Sequence, residues 1–212
     1  LKDNLRNLLR GRFRALKEQI GFKLPALLRA RSRVPTDTTE TLFGDDAERD
    51  AFVYSIYADL LAGRVPPHTL ETVLDLANFF PDTRQSIYDA LDTIEGGDPV
   101  ERIFIHLNRR SPPFQFEVYG ARLIPVYNYL QAAIILMLDG RLKTESVWTL
   151  AHHFSTRHQY SAEAHIRSLR DLLRRRAINM ATLSTLLEGR ANSNEENFAT
   201  AIDRLILSKY RD

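Results

Sequence analysis

The chain has 212 residues, of which 44% are hydrophobic and 26% are charged, a balance that predicts a folded protein rather than a disordered one. Cysteine is absent, which excludes disulfides, thiolate catalysis and cysteine-based zinc sites and favours a cytoplasmic or other reducing intracellular compartment. We expect no signal peptide, and the longest apolar run, AAIILML at 132–138, is too short to span a bilayer.

The net charge of +2 conceals a strong segregation of charge along the chain. Residues 1–33 carry ten Lys or Arg and two acids (net +8), and residues 34–100 carry three Arg and fourteen acids (net −11). Residues 101–212 carry sixteen basic and eleven acidic residues (net +5). Such blocks indicate contacts between oppositely charged surfaces, either inside one fold or between molecules.

The N-terminal segment has the clearest helical pattern in the chain. Its apolar residues recur at steps of three and four, and its basic residues recur every four on another face. The apolar residues are Leu5, Leu9, Phe13, Leu16 and Ile20, and the basic ones are Lys2, Arg6, Arg10 and Arg14, with Lys17 next. We predict a basic amphipathic helical arm over 1–33 whose apolar face docks on the body of its own chain or, as the next alternative, on a protein partner or a second copy. The partner-binding residues would be Leu5, Leu9, Phe13, Leu16, Arg6, Arg10 and Arg14.

Inside this arm, Gly21 predicts the end of the first helix, and Pro25 predicts the start of a short second one. The Thr- and Asp-rich segment 34–46 predicts a linker, followed by a helical domain over 47–212. Asp98, Pro99 and Glu101 have the order of a helix start, which predicts a helix to about Asn108.

Most of the remaining chain reads as helices joined by short loops. Helical faces are predicted near 52–61, 69–77, 87–94, 125–138, 144–154, 161–176, 179–188 and 193–210. Phe114, Phe116 and Val118 alternate, which allows at most a minor short strand around 114–118. The fold class predicted is all-α, a compact multi-helix domain of about ten helices with the N-terminal arm.

The stretch from Ala151 to Arg176 holds four of the six histidines. Intervals of one, five, six and seven separate His152, His153, His158 and His165, whereas metal ligands on one helix are three or four apart. No glycine-rich nucleophile turn or phosphate-binding loop is present. We therefore assign no metal, no cofactor and no catalytic residue; an enzyme would use His152 or His158 as general base.

The same stretch has a row of arginines beside its apolar stripe. Guanidinium groups match phosphate oxygens in pairs, so this row on 162–176, together with the arginines of helix 1–20, predicts an alternative nucleic-acid-binding surface. The residues of the row are Arg167, Arg170, Arg174, Arg175 and Arg176, with His158 and His165 extending it. The leading hypothesis remains a non-catalytic interaction module that binds a protein partner or its own copies. An anionic membrane is the least favoured target of the arm, which has few bulky aromatic residues.

Overall fold

The computed structural model describes residues 13–76, 79–190 and 193–208, without the side chains of 13–19 and 76. The protein is helix-rich with a small three-stranded parallel sheet. The helix-rich part of the all-α prediction is therefore confirmed, and the sheet is a correction to it. The described residues form two compact units divided between Pro125 and Val126, whereas the sequence predicts divisions after residues 33 and 46.

Helices and strands alternate in the first unit, and helices make up the second. The first contains α1 (Phe13–Arg31), β1 (Glu40–Asp45), α2 (Asp50–Leu61), α3 (Pro67–Leu76), α4 (Pro81–Thr93), β2 (Val100–His106), a 3-10 helix (Pro113–Tyr119) and β3 (Leu123–Val126), which reaches the division. The second contains α5 (Tyr129–Leu138), α6 (Thr144–Arg157), α7 (Ala162–Arg174), α8 (Met180–Glu188) and α9 (Glu196–Ser208).

Helix α1 is continuous through Gly21 and Pro25, so the predicted break there is wrong. Gly21 allows close packing rather than ending the helix, because a Cβ atom at this position would lie 2.7 Å from Cε1 of Phe79. The next turns bury Ile20, Leu24 and Leu28 completely against the rest of the unit. Tertiary packing therefore outweighs the low helix propensity of Gly21 and Pro25.

The sheet occupies two segments for which the sequence predicts other structures. β1 lies in the predicted linker, and β2 replaces the helix predicted over 98–108. The strand order is β1-β2-β3, and β1 pairs with β2 in parallel, with Leu42 opposite Ile103. Ile103, Phe104 and Ile105 are fully buried. A continuous apolar run is typical of a buried parallel strand, and periodicity alone does not separate it from a buried helix.

The alternating segment 114–118 is also not a strand. It lies in the 3-10 helix, which begins with Pro112 and Pro113 and ends at Gly120 with a φ of 82°. Proline fixes φ near the helical value, and glycine tolerates the positive φ that ends the turn. The strand follows instead at β3, where Ile103 N–H donates to the Arg122 carbonyl at 2.9 Å.

In the second unit, buried polar side chains join α5 to α7. Asn128 caps α5 by accepting from Gln131 N–H at 3.1 Å, and its amide donates to Ser168 Oγ at 3.1 Å. The Gln131 amide donates to the Ser168 carbonyl at 2.9 Å and to Asp171 at 3.3 Å. Because buried polar groups are costly when unpaired, this chain of hydrogen bonds fixes how the two helices pack.

Candidate functional site

The four histidines of the 151–176 stretch lie in two different environments. His152, His153 and His158 are exposed on α6 and at its end, whereas His165 on α7 is 0% exposed. His165 shares the buried face of α7 with Leu169 and Leu172, four and seven residues later. This helical spacing was visible in the sequence. Burial removes His165 from the exposed basic surface predicted for this helix.

His165 belongs to a buried polar network that the sequence analysis missed. Its Nε2 atom lies 3.1 Å from Ser155 Oγ, and the same hydroxyl donates to Glu195 Oε1 at 2.6 Å. The Tyr160 and Phe198 rings pack on the imidazole, with centroids 5.4 and 5.2 Å away. The network therefore joins α6, α7 and the residue before α9.

The hydrogen bonds define the protonation state of the network. Burial lowers the pKa of His165 to about 4, and the Glu195 carboxylate offsets only part of this effect. The imidazole is therefore neutral near pH 7. Since the Ser155 hydroxyl donates to Glu195, its oxygen accepts the proton on Nε2, and Nδ1 carries the lone pair without a partner among the described residues.

This order differs from that of a nucleophilic triad, in which the imidazole accepts the hydroxyl proton. Here the proton of Ser155 points to the carboxylate, and the buried His165 has no lone pair directed at the hydroxyl. The arrangement stabilises the junction of three elements. It gives no support for His165 as a general base.

Glu195 is one of two adjacent glutamates, with Glu196, that the sequence predicts as helix caps. The pattern from Ser193 to Glu196 predicts a capping box, but Glu195 itself is the residue before α9, and its carboxylate accepts from Phe198 N–H at 3.1 Å. Its second oxygen lies 3.5 Å from His152 Nδ1. A carboxylate at a helix N-terminus is favoured by the exposed N–H groups and the helix dipole.

His152 also borders a cavity of about 450 Å³ in the second unit. The cavity lies between α6 and the segment that follows α8; its other lining residues are Glu145, Trp148, Thr149, Gly189, Arg190, Ser193 and Asn194. Across the described ranges, no three His, Asp or Glu residues are grouped so as to hold a metal ion. Of the two histidines named as candidate general bases, His152 and His158, it is His152 that lines this cavity. No nucleophile is assigned beside it.

The predicted arginine surface is only partly exposed. Arg167, Arg170, Arg174 and Arg176 are exposed, as is His158. Arg175 is largely buried and pairs with Asp171 at 2.6 Å, and Arg174 pairs with the same carboxylate at 2.8 Å. The exposed part of the predicted surface therefore consists of four arginines, Arg167, Arg170, Arg174 and Arg176, of which Arg174 is already paired with Asp171.

The arm residues chosen from the sequence lie largely outside the described part of the chain. Leu5, Arg6, Leu9 and Arg10 precede it, and Phe13, Leu16 and Arg14 have a helical backbone without described side chains. Their partner contacts remain a prediction.

The acidic middle of the chain, in contrast, carries six exposed carboxylates on neighbouring helices of the first unit. Its exposed carboxylates lie on α3, on α4 and just after α4, and they are Glu71, Asp75, Asp82, Asp89, Asp92 and Glu95. Arg84 lies among them and pairs with Asp75 at 2.7 Å. We call this set the acidic face.

A second group of carboxylates follows the C-terminal end of β1, where α/β proteins often bind ligands. Buried Asp50 accepts Asp45 N–H at 3.1 Å and pairs with Lys23, which also pairs with Glu48. Burial lowers the pKa of Lys23, but its hydrogen bonds to these two carboxylates outweigh that effect and raise it. Asp46 accepts the N–H groups of residues 109 and 111 at 2.7 and 3.0 Å. These carboxylates stabilise the turn, and each has partners within the unit.

No protein-family model, no curated protein and no solved structure matches this chain. Within the part of the chain that the structure describes, no helix has both the length and the apolar character required to cross a bilayer.

Proposed function

We propose that this chain is a non-catalytic binding module that associates through surfaces of opposite charge, with further copies of itself as its protein partner. The observation that carries the proposal is the acidic face, six exposed carboxylates on α3, on α4 and just after α4, of which Asp75 and Glu71 pair with Arg84. The complementary surface is the first part of the arm, residues 1–20, which carries six Lys or Arg and two acids (net +4).

Physical considerations support association through several weak contacts rather than one strong one. A single exposed ion pair contributes at most about 1 kcal/mol. A row of charges facing an opposite row also accelerates encounter and selects the orientation of binding. Screening by salt weakens contacts of this kind, because the Debye length shortens to about 3 Å at 1 M ionic strength. Association is therefore expected to decrease steeply with salt.

Sedimentation analysis of the full chain at low and high salt tests the proposal. We expect a dimer or larger species at low salt that dissociates at high salt, and a monomer when the arm carries Arg6→Glu and Arg10→Glu. A matched variant, Arg167→Glu with Arg170→Glu, changes the same charge on exposed α7 positions and should behave as the parent chain. A parent chain that remains monomeric at low salt would contradict the proposal.

Nucleic-acid binding is the second candidate, and the exposure of Arg167, Arg170, Arg174 and Arg176 favours it. Phosphate contacts would make the affinity fall linearly with salt on a logarithmic scale. We expect Arg167→Glu with Arg170→Glu to weaken binding to a mixed-sequence RNA or DNA duplex and to reduce the salt slope. Absence of binding at low salt, or binding independent of salt, would eliminate this candidate.

A further inference from the structure

Helices α1 and α4 lie side by side and run in the same direction. Gly21 of α1 packs against Phe79, two residues before α4. Further along, Arg29 of α1 donates to Ser86 Oγ of α4 at 3.5 Å. The step of eight residues from Gly21 to Arg29 on α1 thus matches the step of seven residues from Phe79 to Ser86 on the other segment. Both helices therefore have their N-terminal ends on the same side.

A groove of about 500 Å³ runs along α4 and borders the C-terminal end of α1. The groove holds one guanidinium as well as carboxylates. Its lining residues are Arg29 of α1, Ser32 just after α1, and Asp82, Gln85, Ser86, Asp89, Ala90 and Thr93 of α4. Asp82 and Asp89 belong to the acidic face and are seven residues apart, which places them on one side of α4 about 10 Å apart. The groove therefore has one wall with two carboxylates.

Two exposed aromatic residues are next in sequence to the contact between α1 and the segment that leads into α4. Phe22 and Phe80 are 76% and 72% exposed, and each directly follows one residue of the contact between Gly21 and Phe79. Single exposed apolar residues are ordinary on protein surfaces. Here the two rings belong to the same pair of segments that borders the charged groove, a combination suited to an amphipathic partner.

We propose that the groove between α1 and α4 binds the basic N-terminal segment of a second copy of this chain. This inference rests on the proposed self-association and specifies its surface. Charge complementarity selects the occupant: Arg6 and Arg14 of a helical segment lie about 12 Å apart along its axis, close to the separation of Asp82 and Asp89.

The apolar residues of the arm fit the same surface. At about 100° per residue, the stripe containing Leu5, Leu9 and Phe13 is turned only about 80° from the basic row on the helix. One helix can therefore direct its arginines to the carboxylate wall and its apolar stripe to Phe22 and Phe80. A purely basic segment would leave both rings uncovered.

A peptide-binding experiment tests the inference with the full chain as receptor. The receptor carries Arg6→Glu, Arg10→Glu and Arg14→Glu, which prevents its own arm from competing, and the probe is a fluorescent peptide of residues 1–20. We expect saturable binding by fluorescence anisotropy. Adding Asp82→Asn with Asp89→Asn, or Phe22→Ser with Phe80→Ser, should weaken it about tenfold, the loss that about 1.4 kcal/mol produces.

Matched controls separate the groove from the rest of the unit. Asp92→Asn with Glu95→Gln removes two carboxylate charges of the acidic face that do not line the groove, and Phe114→Ser removes another exposed ring; neither should change the affinity. Circular dichroism establishes that each variant retains its helices. Groove variants that bind the peptide as tightly as these controls would overturn the inference.

The two proposals fail in different ways. A parent chain that stays monomeric in sedimentation contradicts self-association itself. A chain that associates through its arm while the groove variants keep the parent mass contradicts only the placement of the arm in this groove. Groove variants that lower stability without altering the mass of the parent assembly would indicate docking within one copy, and would overturn the inference as well.

Discussion

Acidification is expected to destabilise the second unit through His165. The side chain is fully buried, and its pKa is lowered by burial to about 4 from an ordinary value of 6.5. The unfolded chain therefore binds a proton at a higher pH than the folded chain does. The free energy of unfolding contributed by the neutral imidazole is complete above pH 6.5 and is lost as the pH falls through 4.

The magnitude follows from the difference between these two pKa values. The difference between the ordinary pKa of 6.5 and the value of about 4 in the folded protein corresponds to about 3 kcal/mol, because a tenfold change in a protonation equilibrium is worth about 1.4 kcal/mol. The groups facing the ring are Ser155 and Tyr160 from the α6 side and Glu195 and Phe198 from the α9 side. Glu195 is the carboxylate among them, and its attraction for an imidazolium is smaller than the cost of burial.

Trp148 provides the assay, since it is the single tryptophan of the chain and lies in the second unit. Its indole N–H donates to the Leu186 carbonyl at 2.8 Å, and its ring packs on Phe198 at 5.0 Å, the same residue that packs on His165. Urea unfolding followed by tryptophan fluorescence at a series of pH values from 8 to 4 therefore reports on the region around the imidazole.

The comparison with two variants isolates the contribution of one histidine. His165→Gln keeps an N–H donor near Ser155 and should reduce the loss of unfolding free energy between pH 6.5 and 4 by about 3 kcal/mol. His158→Gln, at an exposed position, should keep the pH dependence of the parent. If His165→Gln and the parent lose stability equally over this range, the argument from burial is refuted.

Two further changes test buried contacts in each unit. Asp171→Ala removes the carboxylate that binds the Gln131 amide and two arginines. It should lower the free energy of unfolding, measured by tryptophan fluorescence, by about 2 kcal/mol. Asp203→Ala, at an exposed position, should change this free energy little, and equal effects of the two substitutions would contradict the role of the network. Gly44→Ala places a Cβ atom 2.4 Å from Cβ of Asp50 and should cost about 1–3 kcal/mol through overpacking. Gly96→Ala is the control, because a Cβ atom at Gly96 would have no other atom within 4 Å. Thermal melts compare the two variants, and an unchanged melting temperature for Gly44→Ala would show that the turn relaxes without cost.

Several helices were predictable because their signals are local. Ser161 accepts from Ala164 N–H at the start of α7, and Asn179 forms a capping box with Thr182 at the start of α8. Both lie at helix starts anticipated from the sequence. Capping bonds and helical periodicity depend on residues three or four positions apart. The segregation of charge is likewise a property of the sequence itself.

The sheet and the buried network were decided by contacts between distant segments. β1 becomes a strand because it pairs with β2, about sixty residues later, with Leu42 beside Ile103. His165 is neutral because the fold buries its side chain, and the Glu195 carboxylate brought near it offsets only part of that effect. Residues three or four positions apart indicate whether a segment favours a helix. Strand pairing and pKa values, in contrast, depend on contacts between residues far apart in the sequence. The sequence alone therefore determined the helices and the charge blocks, whereas tertiary packing selected the strands and the surroundings of each titratable group.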